Sequence, residues 1–378
     1  MTTVNVWIVI GARRWARLMV TELCRLLSPE IKIYLLGNPE DLDLQCWLLN
    51  SGLAGRVKVV FSAPPCPKHS TGVAIVVNSA YLHKQSVTNA LVAGYHVVCE
   101  KPVTFSKADT LGLMETANNL GLRIFSTNTF LFASYLNTFR EDWLTGHSFK
   151  FVNISWADPI NECRHGELKN YDSGVPLIFD VLPHIANILL ATLGSFTVES
   201  SVVQVRSGGS EVLIDYRLGD QDVRITLKRN SRHRKRTLVF SNAGRKVELD
   251  FSTEPGLVSV NNNALCCVDP TWKNNPKPIA AMLRSVMTFF EAEEEDPRLS
   301  VSTSVLGNDL IDSVVDSYVS QQVLLLSSHE GVTNANISRV DLAYAEKEAK
   351  SLSQRVKPFI NERSPLCKLA TVGEQLKL

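Results

Sequence analysis

The chain has 378 residues, of which 45% are hydrophobic and 20% are charged, with a formal net charge of +1. This composition is ordinary for a globular protein of about two domains. A net charge so close to zero gives no field that would attract nucleic acid or an anionic membrane. The longest apolar runs, such as Val73–Val77, are too short to span a bilayer.

Neither the cysteines nor the N-terminus indicates an oxidising compartment. The eight cysteines form no CxxC pair, and Cys266 and Cys267 are adjacent, which suits neither a disulfide nor a zinc site. Val6–Ile10 has the pattern of a short buried strand rather than the apolar centre of a signal peptide. We therefore expect a cytoplasmic protein without a metal site, a membrane segment or a nucleic-acid partner.

In the N-terminal third, short apolar runs alternate with helical patterns. The predicted strands are Val4–Ile10, Ile31–Leu36, Val57–Phe61, Val73–Val77, His96–Cys99 and Arg123–Ser126. The predicted helices are Arg14–Leu27, Tyr81–Ala93 and Ser106–Leu120. Such alternation predicts an α/β domain with a doubly wound parallel sheet, here assigned to residues 1–127.

The pattern then changes to strands joined by tight turns. These strands are Phe149–Trp156, Val202–Arg206, Glu211–Leu218, Val223–Lys228, Arg236–Phe240, Lys246–Phe251 and Leu257–Val260. The accompanying helices are Pro176–Leu193, Ile279–Glu294 and Ser302–Leu326. Residues 128–338 are therefore predicted to form an α+β domain with an open, mainly antiparallel sheet. Residues 339–378 are predicted as a helical tail with a loose end.

The turn after the first predicted strand reads Gly11-Ala12-Arg13-Arg14-Trp15-Ala16. A dinucleotide-binding turn needs a first glycine for the tight turn, a second for approach to the pyrophosphate and a small third residue. Gly11 and Ala16 fit the first and third places, whereas Arg13 occupies the second. An ordinary strand-to-helix turn is an equal alternative on this motif alone.

The same turn favours NADP(H) over NAD(H). A helix N-terminus attracts an anion, and the guanidinium of Arg13 or Arg14 can pair with a phosphate. After the second strand the chain reads Leu36-Gly37-Asn38, without the carboxylate that usually binds the ribose hydroxyls of NAD. Asn38 is thus available to a 2′-phosphate, and we assign Gly11 and the four residues after it, with Asn38, to the cofactor.

The segment 72–103 ends in Glu100-Lys101-Pro102, preceded by a strand, His83, a helix ending at Gly94 and another strand. Downstream, Asp180-Val181-Leu182-Pro183-His184 puts an acid and a histidine four residues apart on one helix face. These features resemble the glucose–fructose oxidoreductase/inositol dehydrogenase (Gfo/Idh/MocA) family over about residues 4–330. The resemblance implies a Rossmann domain, an α+β domain and NAD(P)-dependent oxidoreductase activity.

The resemblance also implies a role for each matching residue. Lys101 would lie near the nicotinamide, His184 would be the general acid/base, and Asp180 would orient the substrate or the imidazole. Glu100 would be structural or face the cofactor, and Pro102 would fix a turn, often through a cis peptide bond. The remaining residues assigned to the cofactor are Asn78, Ser79, His83 and Asn128.

Departures from the family pattern leave the substrate open. Sugar-acting members usually have Thr-Pro at Asn78-Ser79, and Phe130 stands where many have arginine. The turn at Gly11 and the run Asn128-Thr129-Phe130 resemble the thiazolinyl imine reductase branch instead. The alternatives are a sugar-like carbonyl or carbinol, a cyclic imine of secondary metabolism, and a non-catalytic nucleotide sensor motivated by Arg13.

Two further expectations concern surfaces. The basic run Arg229–Arg236 joins two predicted strands and contains no aromatic residue, so a solvated hairpin tip is favoured over a nucleic-acid site. An open sheet face tends to be covered by another subunit, and the family commonly pairs through it. We therefore expect a homodimer or larger homo-oligomer. The resemblance to an oxidoreductase family implies a small-molecule substrate.

Overall fold

The structure is a computed structural model that describes residues 4–164, 167–169, 171–327 and 338–376. The chain divides into two compact units. The first unit comprises Met1–Phe132 and Pro276–Asn308, and the second comprises Ala133–Asn275 and Asp309–Leu378.

The first unit contains a six-stranded sheet flanked by helices. Its strands are β1 (Val4–Ile10), β2 (Lys32–Leu36), β3 (Val57–Val60), β4 (Thr71–Val76), β5 (His96–Cys99) and β6 (Ile124–Ser126). Its helices include α1 (Arg14–Leu26), α2 (Leu42–Asn50), α3 (His83–Val92), α4 (Lys107–Asn119) and α7 (Pro278–Ala292). The strands are all parallel, in the order β3-β2-β1-β4-β5-β6. The predicted doubly wound parallel sheet is confirmed.

Helix α2 is absent from the sequence prediction. The Asp41 carboxylate accepts hydrogen bonds from the backbone N–H groups of Asp43 and Leu44 and so caps the start of α2. Leu44 and Leu48, four residues apart, bury one face of this helix. An aspartate before two such leucines was the available signal.

The stretch 276–308, which the sequence placed in the second domain, returns to the first unit. The Asn308 side-chain amide donates to the Thr104 carbonyl at 3.2 Å and accepts from the Thr110 hydroxyl at 3.1 Å. The Ser126 and Ser304 hydroxyls are 2.7 Å apart. These contacts span nearly two hundred residues of sequence, a range at which local patterns carry no information.

The second unit contains most of the remaining elements. Its strands are β7 (Phe151–Pro159), β8 (Glu162–Arg164), β9 (Glu167–Lys169), β10 (Val198–Arg206), β11 (Glu211–Leu218), β12 (Gln221–Ser231), β13 (Lys235–Ser241), β14 (Lys246–Asp250), β15 (Leu257–Val260) and β16 (Asn263–Cys267). Its helices include α5 (Ser134–Phe139), α6 (Leu177–Leu193), α9 (Val315–Ser327), α10 (Arg339–Ser351) and α11 (Leu366–Gln375). Helix α8 (Ser302–Asp312) begins in the first unit and ends in the second.

Eight of these strands form one sheet in the order β10-β11-β12-β7-β13-β14-β15-β16. Neighbouring strands are antiparallel except β12 and β7, which are parallel, so the predicted open and mainly antiparallel sheet is confirmed. Along β7, Val152, Ile154 and Trp156 are buried and alternate with more exposed residues, as expected for a strand with one face on the core.

The C-terminal part differs from the prediction in two ways. The helix predicted over Ser302–Leu326 is two helices, α8 and α9, and between them the Val314 backbone N–H donates to the Ile311 carbonyl, three residues earlier, in a tighter turn. The loose end predicted after the tail helix is wrong, since Leu366 and Leu369 in α11 are fully buried. No helix in the described ranges is long and apolar enough to cross a membrane.

Candidate active-site residues

Gly11 lies in the first unit at the point where the strand order reverses, between β1 and β4. Its φ of +135° is one that residues with a Cβ rarely adopt, and an added Cβ would lie 3.1 Å from the Val77 carbonyl oxygen and the Asn78 nitrogen. Helix α1 starts just beyond this turn. In open parallel sheets, ligands bind outside the carboxyl ends of the strands at such a switch point.

The two arginines of the turn lie at the start of α1. Arg13 is the N-cap residue, with an extended backbone conformation and an exposed side chain, and Arg14 follows as the first helical residue, its guanidinium carbon 5.4 Å from the Trp15 ring centroid. The Arg13 side chain makes no capping hydrogen bond at this helix N-terminus. Arg13 therefore occupies the second position of the fingerprint in an extended backbone conformation that any residue adopts. Its exposed side chain lies outside the turn.

Asn38 lies beyond the end of β2. Its side-chain oxygen accepts a hydrogen bond from the Glu40 backbone N–H at 2.9 Å, which leaves the amide group as a donor. A Cβ at Gly37 would lie 3.0 Å from the Ala12 Cβ, so the turns after β1 and β2 are in close contact. Asp41 is occupied in capping α2, as described above.

These features fit a dinucleotide. The Gly11 turn has no room for a larger residue, a helix N-terminus such as that of α1 favours an anion, and Arg13 adds a cation. Gly11, Ala12, Arg13, Arg14 and Asn38 are thus the residues that would hold NAD(P).

His83 is buried and links two loops. Its Nδ1 is 2.7 Å from the Pro102 carbonyl oxygen, and its Nε2 is 3.1 Å from the Asn78 carbonyl oxygen. Burial is the main cause that lowers the pKa of His83, and Lys101 lowers it further. The neutral ring can donate only one of these hydrogen bonds. In this structure His83 shapes the loops after β4 and β5, in which the predicted residues Asn78 and Ser79 also lie.

The Glu100-Lys101-Pro102 segment follows β5. The Glu100 backbone N–H donates to the Val76 carbonyl at 2.8 Å, and its carboxylate accepts from the Thr127 hydroxyl. Glu100 is 7% exposed, whereas Lys101 is only half-buried. The Lys101–Pro102 peptide bond is cis, as the resemblance implies.

Asn128, also assigned to the cofactor by sequence, is 1% exposed. Its amide donates to the carbonyl oxygens of Arg298 at 2.9 Å and Ser300 at 3.2 Å. This pair of bonds ties the end of β6 to the segment that precedes α8.

In the second unit, Asp180 and His184 stand out on α6. All residues from Leu177 to Leu189 are buried except these two, which are partly exposed and lie on one helix face. The helix thus presents an acid and a histidine to solvent from an otherwise apolar surface. Lys101, the third predicted catalytic residue, belongs to the first unit.

Two arginines of the basic run are buried, and the sequence prediction of a solvated tip is wrong for both. One of them, Arg229, contacts this helix face. Arg229 is 2% and Arg236 is 1% exposed. Arg229 donates to Asp180 at 3.3 Å, to the Val175 carbonyl at 2.9 Å and to the Tyr344 hydroxyl at 3.0 Å.

The alternation of buried and exposed residues along the two strands would have predicted that these arginines are buried. In β12, Val223, Ile225 and Leu227 are buried, and Arg229 continues the same face two residues later. In β13, Arg236 shares a face with Leu238 and Phe240. Strand β12 extends further into the basic run than the apolar pattern indicated, and this carries Arg229 to the core side of the sheet. Arg236 already lay at the start of a predicted strand, and the alternation of that strand places it on the buried face.

Comparison with known proteins identifies a family for part of the first unit. Residues 65–128 match the GFO_IDH_MocA family model, described as an oxidoreductase family with an NAD-binding Rossmann fold. This segment is of the Gfo/Idh/MocA type. The match confirms the resemblance found in the sequence and the expectation of an NAD(P)-dependent oxidoreductase. No curated protein matches the chain.

Three solved structures illustrate the fold of this oxidoreductase, and each covers 82% of the chain. An oxidoreductase from Thermotoga maritima is 13% identical, with a TM-score of 0.66 and 96% of its own chain covered. UDP-N-acetylglucosamine 3-dehydrogenase from Acidithiobacillus ferrooxidans is 12% identical, with a TM-score of 0.61 and 95% covered. A 3-ketoreductase from Actinomadura kijaniata, in complex with NADP and TDP-benzene, is 15% identical, with a TM-score of 0.63 and 96% covered. At these identities the likeness concerns the fold alone.

Proposed function

We propose that this oxidoreductase transfers hydride between NADP(H) and the carbonyl or carbinol carbon of a small sugar-like substrate. The observation that carries the proposal is the pair Asp180 and His184, which alone reach the surface of the otherwise buried stretch Leu177–Leu189. The bound nicotinamide would supply or accept the hydride. The protein must then supply a proton to the carbonyl oxygen, or remove one from the carbinol.

In this proposal His184 moves that proton. An imidazole is suited to the task because its unperturbed pKa of about 6.5 lies near neutral pH. Asp180, one turn earlier, orients the substrate or the imidazole, and Arg229 donates a hydrogen bond to the Asp180 carboxylate. Lys101 donates to the reacting oxygen as an ammonium group.

The preference for NADP(H) is supported by charge at the nucleotide end. Arg13 is exposed at the N-terminus of α1, and the Asn38 amide is available to donate to a 2′-phosphate. The Actinomadura ketoreductase is itself described in complex with NADP. A fluorescence titration of the full chain with NADPH and NADH tests this part. If neither binds below millimolar concentration, the enzyme proposal fails and a non-catalytic role remains.

The substrate class needs a second experiment. The Acidithiobacillus dehydrogenase is named for a nucleotide sugar, and the Actinomadura ketoreductase carries TDP-benzene. The experiment is an assay of a panel of nucleotide-linked and free sugars, followed by the absorbance of NADPH. We expect turnover with at least one of these sugars. A cyclic imine is the alternative substrate, because the turn at Gly11 and the run that begins at Asn128 resemble the thiazolinyl imine reductase branch. Turnover with thiazoline or pyrroline substrates only would favour this alternative.

We also propose a homodimer or larger assembly through the open face of the eight-stranded sheet. This face includes cross-strand ion pairs, Arg224–Asp215 at 2.6 Å and Lys228–Glu211 at 3.1 Å. An interface here would therefore be polar and depend on salt. Light scattering at low and high ionic strength tests this, and a monomer at low salt would contradict it.

A further inference from the structure

Arg236 is a charged side chain placed on the core side of a sheet. Strand register pairs it with Trp156 on the neighbouring strand β7, and directly opposite residues share one face of a sheet. Trp156 continues the buried series of Val152 and Ile154. A guanidinium 1% exposed loses its hydration, so its retained charge must be balanced by local partners.

Those partners are present. One guanidinium nitrogen donates to the carbonyl oxygens of Ala157 at 2.6 Å and Lys235 at 2.8 Å, and the other donates to the Asp158 carboxylate. Burial lowers the pKa of Arg236 to about 10, and Asp158 opposes that effect. The group is therefore still protonated at neutral pH, and its position is set by three acceptors.

The fixed guanidinium in turn contacts the indole of Trp156. Its central carbon lies 3.6 Å from the ring centroid, which is a close cation–π contact. The indole N–H also points to Asp158, at 3.4 Å from a carboxylate oxygen. A tryptophan side chain has two rotatable bonds, so one contact on its face and one on its edge leave it little freedom.

Trp156 then lies along the imidazole of His184. The two ring centroids are 5.4 Å apart and the planes differ by 16°, a stacked arrangement. A stacked imidazole keeps its plane, so its nitrogens keep their direction. A general acid/base requires this, because proton transfer depends on a hydrogen bond of defined geometry.

We propose that Arg236 is a positioning residue for His184 and acts through Trp156. This inference rests on the proposed function only where it gives His184 a catalytic role, because the contacts among Arg236, Trp156 and His184 do not depend on that role. It also accounts for a buried arginine that the family resemblance does not assign.

The test is a spectroscopic signature of the His184 ring in the full chain labelled with ¹³C-histidine. The His184 signal is identified as the one lost in His184→Gln. In the wild type we expect it shifted upfield by the ring current of Trp156, and in Trp156→Leu that shift should vanish. In Arg236→Gln the signal should move toward the position of an exposed histidine, whereas the surface control Arg224→Gln should leave it unchanged.

Arg236→Lys is a second variant for the case that Arg236→Gln does not fold. It keeps a buried positive charge but lacks the planar guanidinium that binds three acceptors. We expect a partial shift of the His184 signal in this variant. If the signal in a folded Arg236 variant coincides with that of the wild type, the inference is overturned. If instead His184→Gln leaves turnover of an identified substrate unchanged, the proposed function fails while the positioning contact stands.

Discussion

Arg229 and Asp180 form an ion pair, with 3.3 Å between a guanidinium nitrogen and a carboxylate oxygen, that joins strand β12 to the first turn of helix α6. Arg229 also contacts Tyr344 of helix α10, and its central carbon lies 4.8 Å from the Tyr171 ring centroid. One buried guanidinium thus connects the sheet, the C-terminal helices and a predicted active-site acid. Burial lowers its pKa, but Tyr344 and Asp180 outweigh this and raise the pKa overall.

Replacing Arg229 with glutamine should destabilise the second unit. Removing one partner of a buried ion pair costs about 3–5 kcal/mol, and we expect about 2–3 kcal/mol because Asp180 keeps 36% of its side chain exposed. Urea unfolding of the full chain measures this change. Arg217→Gln, which removes an exposed pair with Asp222, is the control and should leave the free energy of unfolding nearly unchanged. Equal effects of the two variants would contradict a structural role for Arg229.

Gly11→Ala should both destabilise the first unit and weaken cofactor binding. The added Cβ would press on the loop after β4 at 3.1 Å, and a non-glycine residue at φ +135° costs about 1–3 kcal/mol. Thermal melts and an NADPH titration follow the two effects. Gly112→Ala is the matched control, since Gly112 lies within α4 with nothing within 4 Å of its added Cβ, and it should stabilise by roughly 0.5–1 kcal/mol. Normal NADPH affinity in Gly11→Ala would exclude the proposed pyrophosphate site.

Arg13→Ala should weaken NADPH binding about tenfold, which corresponds to about 1.4 kcal/mol, near the lower end for a charge-assisted hydrogen bond. The dissociation constant of NADH should change less, because NADH lacks the 2′-phosphate. Arg25→Ala, which alters an exposed arginine at the other end of α1, should change neither constant. Equal losses for the two nucleotides would assign Arg13 to the pyrophosphate and remove the argument for NADP(H).

Glu348 in α10 should make stability depend on pH. Burial raises the pKa of Glu348 to about 7, and the Tyr318 hydroxyl donates to its carboxyl group at 2.7 Å. In the unfolded chain this pKa is near 4.5, the ordinary value for a glutamate side chain. The folded state therefore binds more protons between these values, so the contribution of Glu348 is present below pH 4.5 and is lost as pH rises through 7.

Comparison with Glu348→Gln isolates this effect, because the amide resembles the protonated carboxyl and does not titrate. From pH 5 to pH 8 the wild type should lose about 3 kcal/mol relative to the variant, an upper estimate from the pKa difference at 1.36 kcal/mol per unit. Denaturant unfolding at several pH values gives the two curves. Parallel curves would show that Glu348 does not change its protonation between the folded and unfolded chains in this range.

Much of the fold could be predicted from sequence because its signals are local. Apolar runs such as Val73–Val77 and glycines such as Gly94 mark strands and helix ends within a few residues of themselves. The same locality explains the errors. Helix α2 has only two buried leucines in its sequence pattern, and only two residues, Ser313 and Val314, separate α8 from α9.

Local sequence patterns establish which chemical groups are available: a glycine turn at Gly11, a lysine after β5, and an acid and a histidine four residues apart. The surroundings of these groups depend on long-range contacts in the folded chain. The tertiary structure places Arg229 and Arg236, predicted to lie in a solvated tip, on the core side of the sheet, next to Asp180 and against Trp156. The physical reason is that a strand assigns alternate residues to opposite faces, whereas the helix that packs on one face comes from a distant part of the chain. A charged run therefore gives no local sign of which of its members will be buried.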